Sequence, residues 1–161
     1  MSANRFKPHL LVLPEDDANR QIAVGFAYEL ESRVSRHIQV LPVAGGWLNV
    51  VSQCVGEHAG ELGRNPLRHV LLLLDFDEDG DRLKRVREQI PTNVAERVFV
   101  LGCWSEPERL KQKLGGTLEG IGQALAEECR SGTRNVWADG QLAHNEAELA
   151  RLRAQVRPFL F

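Results

Sequence analysis

A chain of 161 residues is about one domain long, enough to bury roughly two-thirds of the surface its unfolded form exposes. Its net charge of −2, with 26% charged residues, excludes a global basic field, so any contact with nucleic acid must come from a local patch. Cys54, Cys103 and Cys129 lie far apart without CxxC spacing, which excludes a readable structural zinc site and suits reduced thiols buried as small hydrophobes. No apolar run approaches membrane-spanning length, and MSANRFKPH has no apolar stretch before a cleavage site, so the expectation is a cytoplasmic protein without membrane contact.

The run from His9 to Leu13 ends at Pro14 and is followed at once by Glu15, Asp16 and Asp17, a strand with acids at its carboxyl end. Ala18, Ile22, Ala23, Phe26, Ala27, Leu30 and Val34 then recur at helical spacing, with Arg20, Glu29, Glu31 and Arg33 on the other side. His37 to Val43 reads as a second strand. Gly45-Gly46 breaks the chain before a helix from about Trp47 to Leu62, which Gly63 and Pro66 terminate. Val70 to Leu74 is too short for a helix and reads as a strand sheltered on both faces. It runs straight into Asp75, Asp77, Glu78, Asp79 and Asp81. A basic helix from about Asp81 to Gln89 closes at Pro91, and Arg97 to Cys103 makes a fourth strand.

The last third is helical. Glu106 to Leu114 and Leu118 to Cys129 are separated by Gly115-Gly116, and a C-terminal helix starts near Asn145, a good N-cap. Leu118, Ile121, Gly122, Leu125 and Cys129 make one apolar stripe, and Leu149, Leu152 and Val156 another. Ser131 to His144 is a loop with room for a short edge strand at Val136-Trp137. The alternation predicts a single α/β domain: a mostly parallel, Rossmann-like sheet of about four strands with flanking helices, and a helical C-terminal portion from about residue 105.

Two parallel strands that both end in carboxylates deliver them to one edge of the sheet, the edge where open α/β sheets bind ligands. If the strands are neighbours, Glu15 faces Asp75 and Asp77. Crowded carboxylates raise one another's pKa, and a hard divalent cation with oxygen ligands relieves them. The plainer alternative is a solvated turn that opens the next helix with an N-cap aspartate. An EF-hand fits poorly: Asp75, Asp77, Asp79 and Gly80 fill its early loop positions, but Val86 stands where the bidentate glutamate belongs.

These residues resemble the Toprim domain of topoisomerases, primases and overcoming-lysogenization-defect-type nucleases, whose motifs are a glutamate just after the first strand and DxD just after the third. Glu15 matches the first motif and Asp75-Phe76-Asp77 the second, over roughly the first two-thirds of the chain. Asp16 stands where the family usually has glycine, and would add a ligand. The resemblance implies magnesium or manganese held by Glu15, Asp75 and Asp77, with Asp79 and Asp16 as auxiliaries. It also implies two-metal hydrolysis or transfer of nucleic-acid phosphodiesters, with Glu15, Asp75 and Asp77 catalytic. In the nuclease branch a further acid follows the fourth strand, a place offered to Glu106 or Glu108; alternatively Ser105 simply caps a helix with Pro107 and Glu108 in its first turn.

PEDDANRQ and LLLLD also resemble a response-regulator receiver domain, but the tail beyond Lys113 lacks the lysine that a receiver carries after its fifth strand. A competing class is a non-catalytic module of the same fold working beside a protein partner such as an ATPase. Sequence leaves the oligomeric state open. Arg82, Lys84, Arg85 and Arg87 read as a solvated face that balances the acids, or that guides a phosphodiester toward them. His144 is a general base or a structural helix-start residue. Trp47, Trp104 and Trp137 read as packing residues, Tyr28 lies away from the strand ends, and Gly120-Ile121-Gly122 lacks the preceding strand of a dinucleotide site.

Overall fold

The computed structural model describes residues 2–30 and 32–161, and its strands fall on the apolar runs: β1 (His9–Pro14), β2 (Ile38–Val40), β3 (Arg68–Leu73) and β4 (Val98–Leu101). They form one parallel sheet in the order β2-β1-β3-β4, with Leu11 opposite Val70 and Leu13 opposite Leu72. Side chains alternate between faces, and both faces are covered, which is why these strands read as continuous apolar runs. Leu11, Leu13, Val70, Leu72, Val98 and Val100 pack on one side with residues of α2 (Trp47–Gln53), α3 (Ala59–Arg64) and α4 (Arg82–Gln89). Leu10, Val12, Leu71, Leu73, Phe99 and Leu101 pack on the other with residues of α1 (Asp17–Tyr28), α6 (Leu118–Ser131) and α7 (Glu146–Leu160). With α5 (Pro107–Leu114) packed through Leu110 beside α1 and α6, this is an α/β, Rossmann-like fold. Among the described residues no helix is long and apolar enough to cross a membrane.

Several boundaries differ from the sequence reading. The first helix stops at Tyr28, because the N–H groups of Glu29 and Leu30 bond back only three residues, and Ser32–His37 continues as a 3-10 turn. Leu30 is nonetheless buried and Val34 packs on the core; Glu31 lies outside the described residues. The second strand keeps only three residues: the Leu41 N–H still donates to the Val12 carbonyl at 2.8 Å, but Pro14 of β1 has no N–H to return a bond to the Leu41 carbonyl. The helix expected over Trp47 to Leu62 is α2 and α3 joined by a π turn at Cys54–His58, and Gly63 lies inside α3 instead of ending it.

Two polar side chains do the work that sequence had given to backbone. Asn145 does not cap α7; its amide donates to the Gly102 carbonyl at 2.9 Å and accepts from the Gly102 N–H at 3.1 Å, imitating a neighbouring strand at the edge of β4. No strand forms at Val136-Trp137. The Glu128 carboxylate, buried under that loop, accepts the N–H groups of Asn135 and Val136 at 2.8 Å and of Trp137 at 3.1 Å. A second buried acid, Glu148, takes Arg87 of α4 and Arg151 of its own helix, tying α7 to the opposite layer around the edge of β4.

The Leu118, Ile121, Gly122, Leu125 and Cys129 stripe is buried as expected, and Thr117 caps its helix by accepting the Gly120 N–H at 3.0 Å. Thr117→Ala should therefore cost about 1 kcal/mol in chemical denaturation while leaving the fold intact.

Candidate functional site

From β1 the chain steps to β2 on one side and later to β3 and β4 on the other, so the winding direction switches between β1 and β3. In open α/β sheets the crevice beyond the carboxyl ends at such a switch is where ligands bind. The residues that leave those two strands there are Glu15 and Asp75. The Glu15 N–H extends the ladder by donating to the Leu73 carbonyl at 2.8 Å, and the Asp75 N–H then donates to Glu15 Oε2 at 2.7 Å. Gly45, in a left-handed conformation on the loop leaving β2, donates its N–H to the Glu15 carbonyl at 2.8 Å and brings that loop to the same edge.

Asp16 is the N-cap of α1, its Oδ1 accepting the Asn19 N–H at 2.9 Å. The buried Asn19 amide then spans two acids, donating to Asp16 Oδ1 at 3.0 Å and to Asp75 Oδ1 at 3.1 Å. Burial pushes the Asp75 carboxyl up to about 7; the Asn19 bond opposes this, and the charges of Asp16, Glu15 and Asp77 add to it. Burial likewise raises Glu15, against the stabilising Asp75 N–H, with Asp16 and Asp77 again unfavourable and Arg82 favourable.

Beyond Asp75 the chain turns sharply, with Asp77 (φ 49°) and Glu78 (φ 58°) both left-handed. Neither is glycine, so the turn is strained and must be held from outside. The Glu78 N–H donates to the Trp104 carbonyl at 2.7 Å, and Arg82 Nη1 donates to the Asp75 carbonyl at 2.9 Å and to Asp77 Oδ2 at 3.1 Å. Arg82 is only 6% exposed, and its guanidinium lies 4.2 Å from the centre of the Trp47 ring. The basic helix is thus not the solvated face expected: Arg82 is buried in the acid loop and Arg87 pairs with Glu148, while Lys84 and Arg85 are the exposed members. Asp81 makes no side-chain cap to α4. Its N–H instead bonds Asp79 Oδ1 at 2.9 Å, which together with Arg85 and Arg82 holds Asp79 below the ordinary carboxylate range.

The structure therefore brings Glu15, Asp16, Asp75 and Asp77 within electrostatic reach of one another. It turns Asp79 onto the arginines of α4 and leaves Glu106 56% exposed, 4.0 Å from Arg109. Ser105 does not cap α5, because its N–H and hydroxyl both bond Gln141 Oε1, and Glu106 occupies the cap position without a side-chain bond. Glu108 is exposed on the first turn of α5. As the side chains stand, no three His, Cys, Asp or Glu among the described residues are gathered as ligands of a metal ion. In kind, however, the donors fit a hard divalent cation: they are carboxylate oxygens raised in pKa by burial and, to a lesser degree, by the charges of the acids beside them.

His144 packs edge-on against Phe76 at 4.5 Å and lies 5.3 Å from Trp104, its nitrogens buried and burial lowering its pKa, which is a packing role. Tyr28 is exposed at the far end of α1, and Gly122 lets α6 press against the Ile22 carbonyl of α1. Sequence reading missed Asn19 and the Trp47–Arg82 pair. Asn19 had a signal, standing three residues after the cap residue on the first turn that faces the acids; Arg82 had none beyond being first on the helix that follows them. No family model, no curated protein and no solved structure matches the chain.

Proposed function

We propose that the protein is a divalent-metal-dependent phosphodiester hydrolase or transferase acting on nucleic acid, Toprim-like in its use of the sheet edge. The observation that carries this reading is the meeting of Glu15 and Asp75 at the switch point between β1 and β3, with Asp75 N–H on Glu15 Oε2. Glu15 and Asp75 would hold magnesium or manganese, with Asp16 and Asp77 beside them. A bound ion would supply the Lewis acidity that activates water and stabilises a leaving oxygen. Asn19 orients the Asp75 carboxylate by its bond to Oδ1, and the Asp16 cap fixes Asn19 in turn. Arg82 holds the left-handed turn that presents Asp77. Supercoiled DNA and structured RNA incubated with manganese should be nicked by the wild type, and Glu15→Gln or Asp75→Asn should abolish the nicking as chelation does. Nicking that survives both substitutions would sink the assignment.

A second reading has its own observation. Arg82 already neutralises Asp77 from within, which suits a non-catalytic module that keeps this edge as a recognition surface for a partner such as an ATPase. A wild type that binds manganese normally and never cleaves would favour it.

A further inference from the structure

α1 and α6 lie backbone to backbone: a Cβ at Gly25 would stand 1.9 Å from the Glu119 carbonyl oxygen, and one at Gly122 2.0 Å from that of Ile22. α7 approaches neither helix as closely, and the seam left between the three helices and the sheet is a cavity of about 80 Å³. Val12 and Leu73 form its floor, with Ala23 of α1, Cys129 of α6 and Val156 of α7 as walls, all of them buried. The two amides that border it, Asn19 and Asn145, are already engaged with Asp16 and Asp75 and with Gly102. Such a space offers water almost no hydrogen-bond partner, so it stays dry and favours an apolar guest.

The lining reaches the surface near the C-terminal end of α7, where half-buried Phe26 and Phe161 meet edge to face at 6.1 Å. Two arginines of α7, one turn apart, belong to it. Arg157 is committed, donating from Nε to the Cys129 carbonyl and from Nη2 to the Arg130 carbonyl, both at 3.2 Å. Arg153 is not. Half-buried beside Gly132, the left-handed residue that ends α6, it makes no hydrogen bond or ion pair among the described residues. Glu128, next to Cys129 in the chain, is taken up by the three loop N–H groups it accepts.

We propose that this cavity binds a small carboxylate with a short alkyl tail, the tail between the sheet and α7 and the carboxylate on the Arg153 guanidinium. The planar fork of an arginine matches a carboxylate, and one uncommitted guanidinium balances one negative charge. Size sets the tail, because about 80 Å³ is roughly half the engineered cavity of about 150 Å³ that accepts benzene, which suits a few carbons and not a long acyl chain. The site needs no metal at Glu15 and Asp75.

Sodium hexanoate titrated into the isotope-labelled full chain, read by amide chemical shifts, tests this. Hexanoate should shift the Cys129 and Val156 amides saturably, acetate should not, and 1-hexanol should reach the same amides about tenfold more weakly for want of the charged contact. Arg153→Gln breaks no hydrogen bond or ion pair of the described residues, and it should weaken hexanoate about tenfold while leaving 1-hexanol within about twofold. No saturable shift at those amides, an affinity for acetate or 1-hexanol equal to that for hexanoate, or an Arg153→Gln protein that binds hexanoate as the wild type does would each overturn the inference.

Discussion

Asp75→Asn should make the metal-free protein more stable at pH 8, by on the order of 3 kcal/mol. The Asp75 carboxyl is 8% exposed and pushed up to about 7, against about 3.9 for an unfolded aspartate. Between those values the folded chain binds the extra proton, so the stability this group contributes is present below about pH 4, is lost as pH rises toward 7, and stays lost above. Asparagine removes the charge but keeps the geometry, since its Oδ1 can still accept from Asn19 and its N–H still donates to Glu15. Burial lowers the pKa of His9, His58, His69 and His144, and these slope the other way, adding stability as pH rises toward the unfolded value near 6.5. The wild-type curve is thus a sum of opposed trends, and the difference between wild type and Asp75→Asn isolates the carboxyl. Urea denaturation at pH 5 and pH 8 reads it: the variant's advantage should grow across that interval, and equal differences at both would show Asp75 to be an ordinary acid.

Gly102→Ala should be the most damaging small substitution at this edge, costing more than about 4 kcal/mol or preventing folding. A Cβ there would stand 1.6 Å from the Leu74 carbonyl oxygen and 2.7 Å from its carbon. Those atoms are backbone and cannot turn aside. The Leu74 N–H is fixed to the Leu101 carbonyl at 3.0 Å, and the Gly102 peptide is clasped from the other side by Asn145. Relief would have to come by parting β3 from β4 immediately before Asp75. Gly60→Ala is the control, an alanine placed inside α3 with only the Arg64 side chain near, at 3.6 Å, and it should gain about 0.5–1 kcal/mol. Chemical denaturation separates the two; a Gly102→Ala protein within about 1 kcal/mol of wild type would mean that β3 and β4 can part at little cost.

The apolar runs at His9, Val70 and Val98 were legible as strands because burial on both faces leaves a continuous hydrophobic signature that needs no knowledge of partners. The acids after Leu13 and Leu74 were legible for the same reason, since a strand end fixes where the next side chains emerge. What stayed hidden was polar chemistry between distant segments. Arg82 looks like any helix-surface arginine until Trp47, the first residue of α2, is placed beneath it. Glu128 and Asn145 stand in for strand partners of segments 7 and 43 residues away, and nothing in their own neighbourhoods announces it. The premature end of α1 is of the same kind, for Leu30 and Val34 keep helical spacing and remain in the core although the backbone has tightened into a 3-10 turn.

The central claim is that Glu15 and Asp75 share a divalent cation, and titration calorimetry with manganese at pH 6 and pH 8 tests it most directly. With its carboxyl near 7, Asp75 is ionised in about one molecule in ten at pH 6 and in about nine in ten at pH 8, so the wild type should bind roughly tenfold more tightly at the higher pH. Glu15→Gln and Asp75→Asn should each weaken binding about tenfold or more, on the order of 1.4 kcal/mol. Manganese binding that is absent, or indifferent to pH and to both substitutions, would contradict the account.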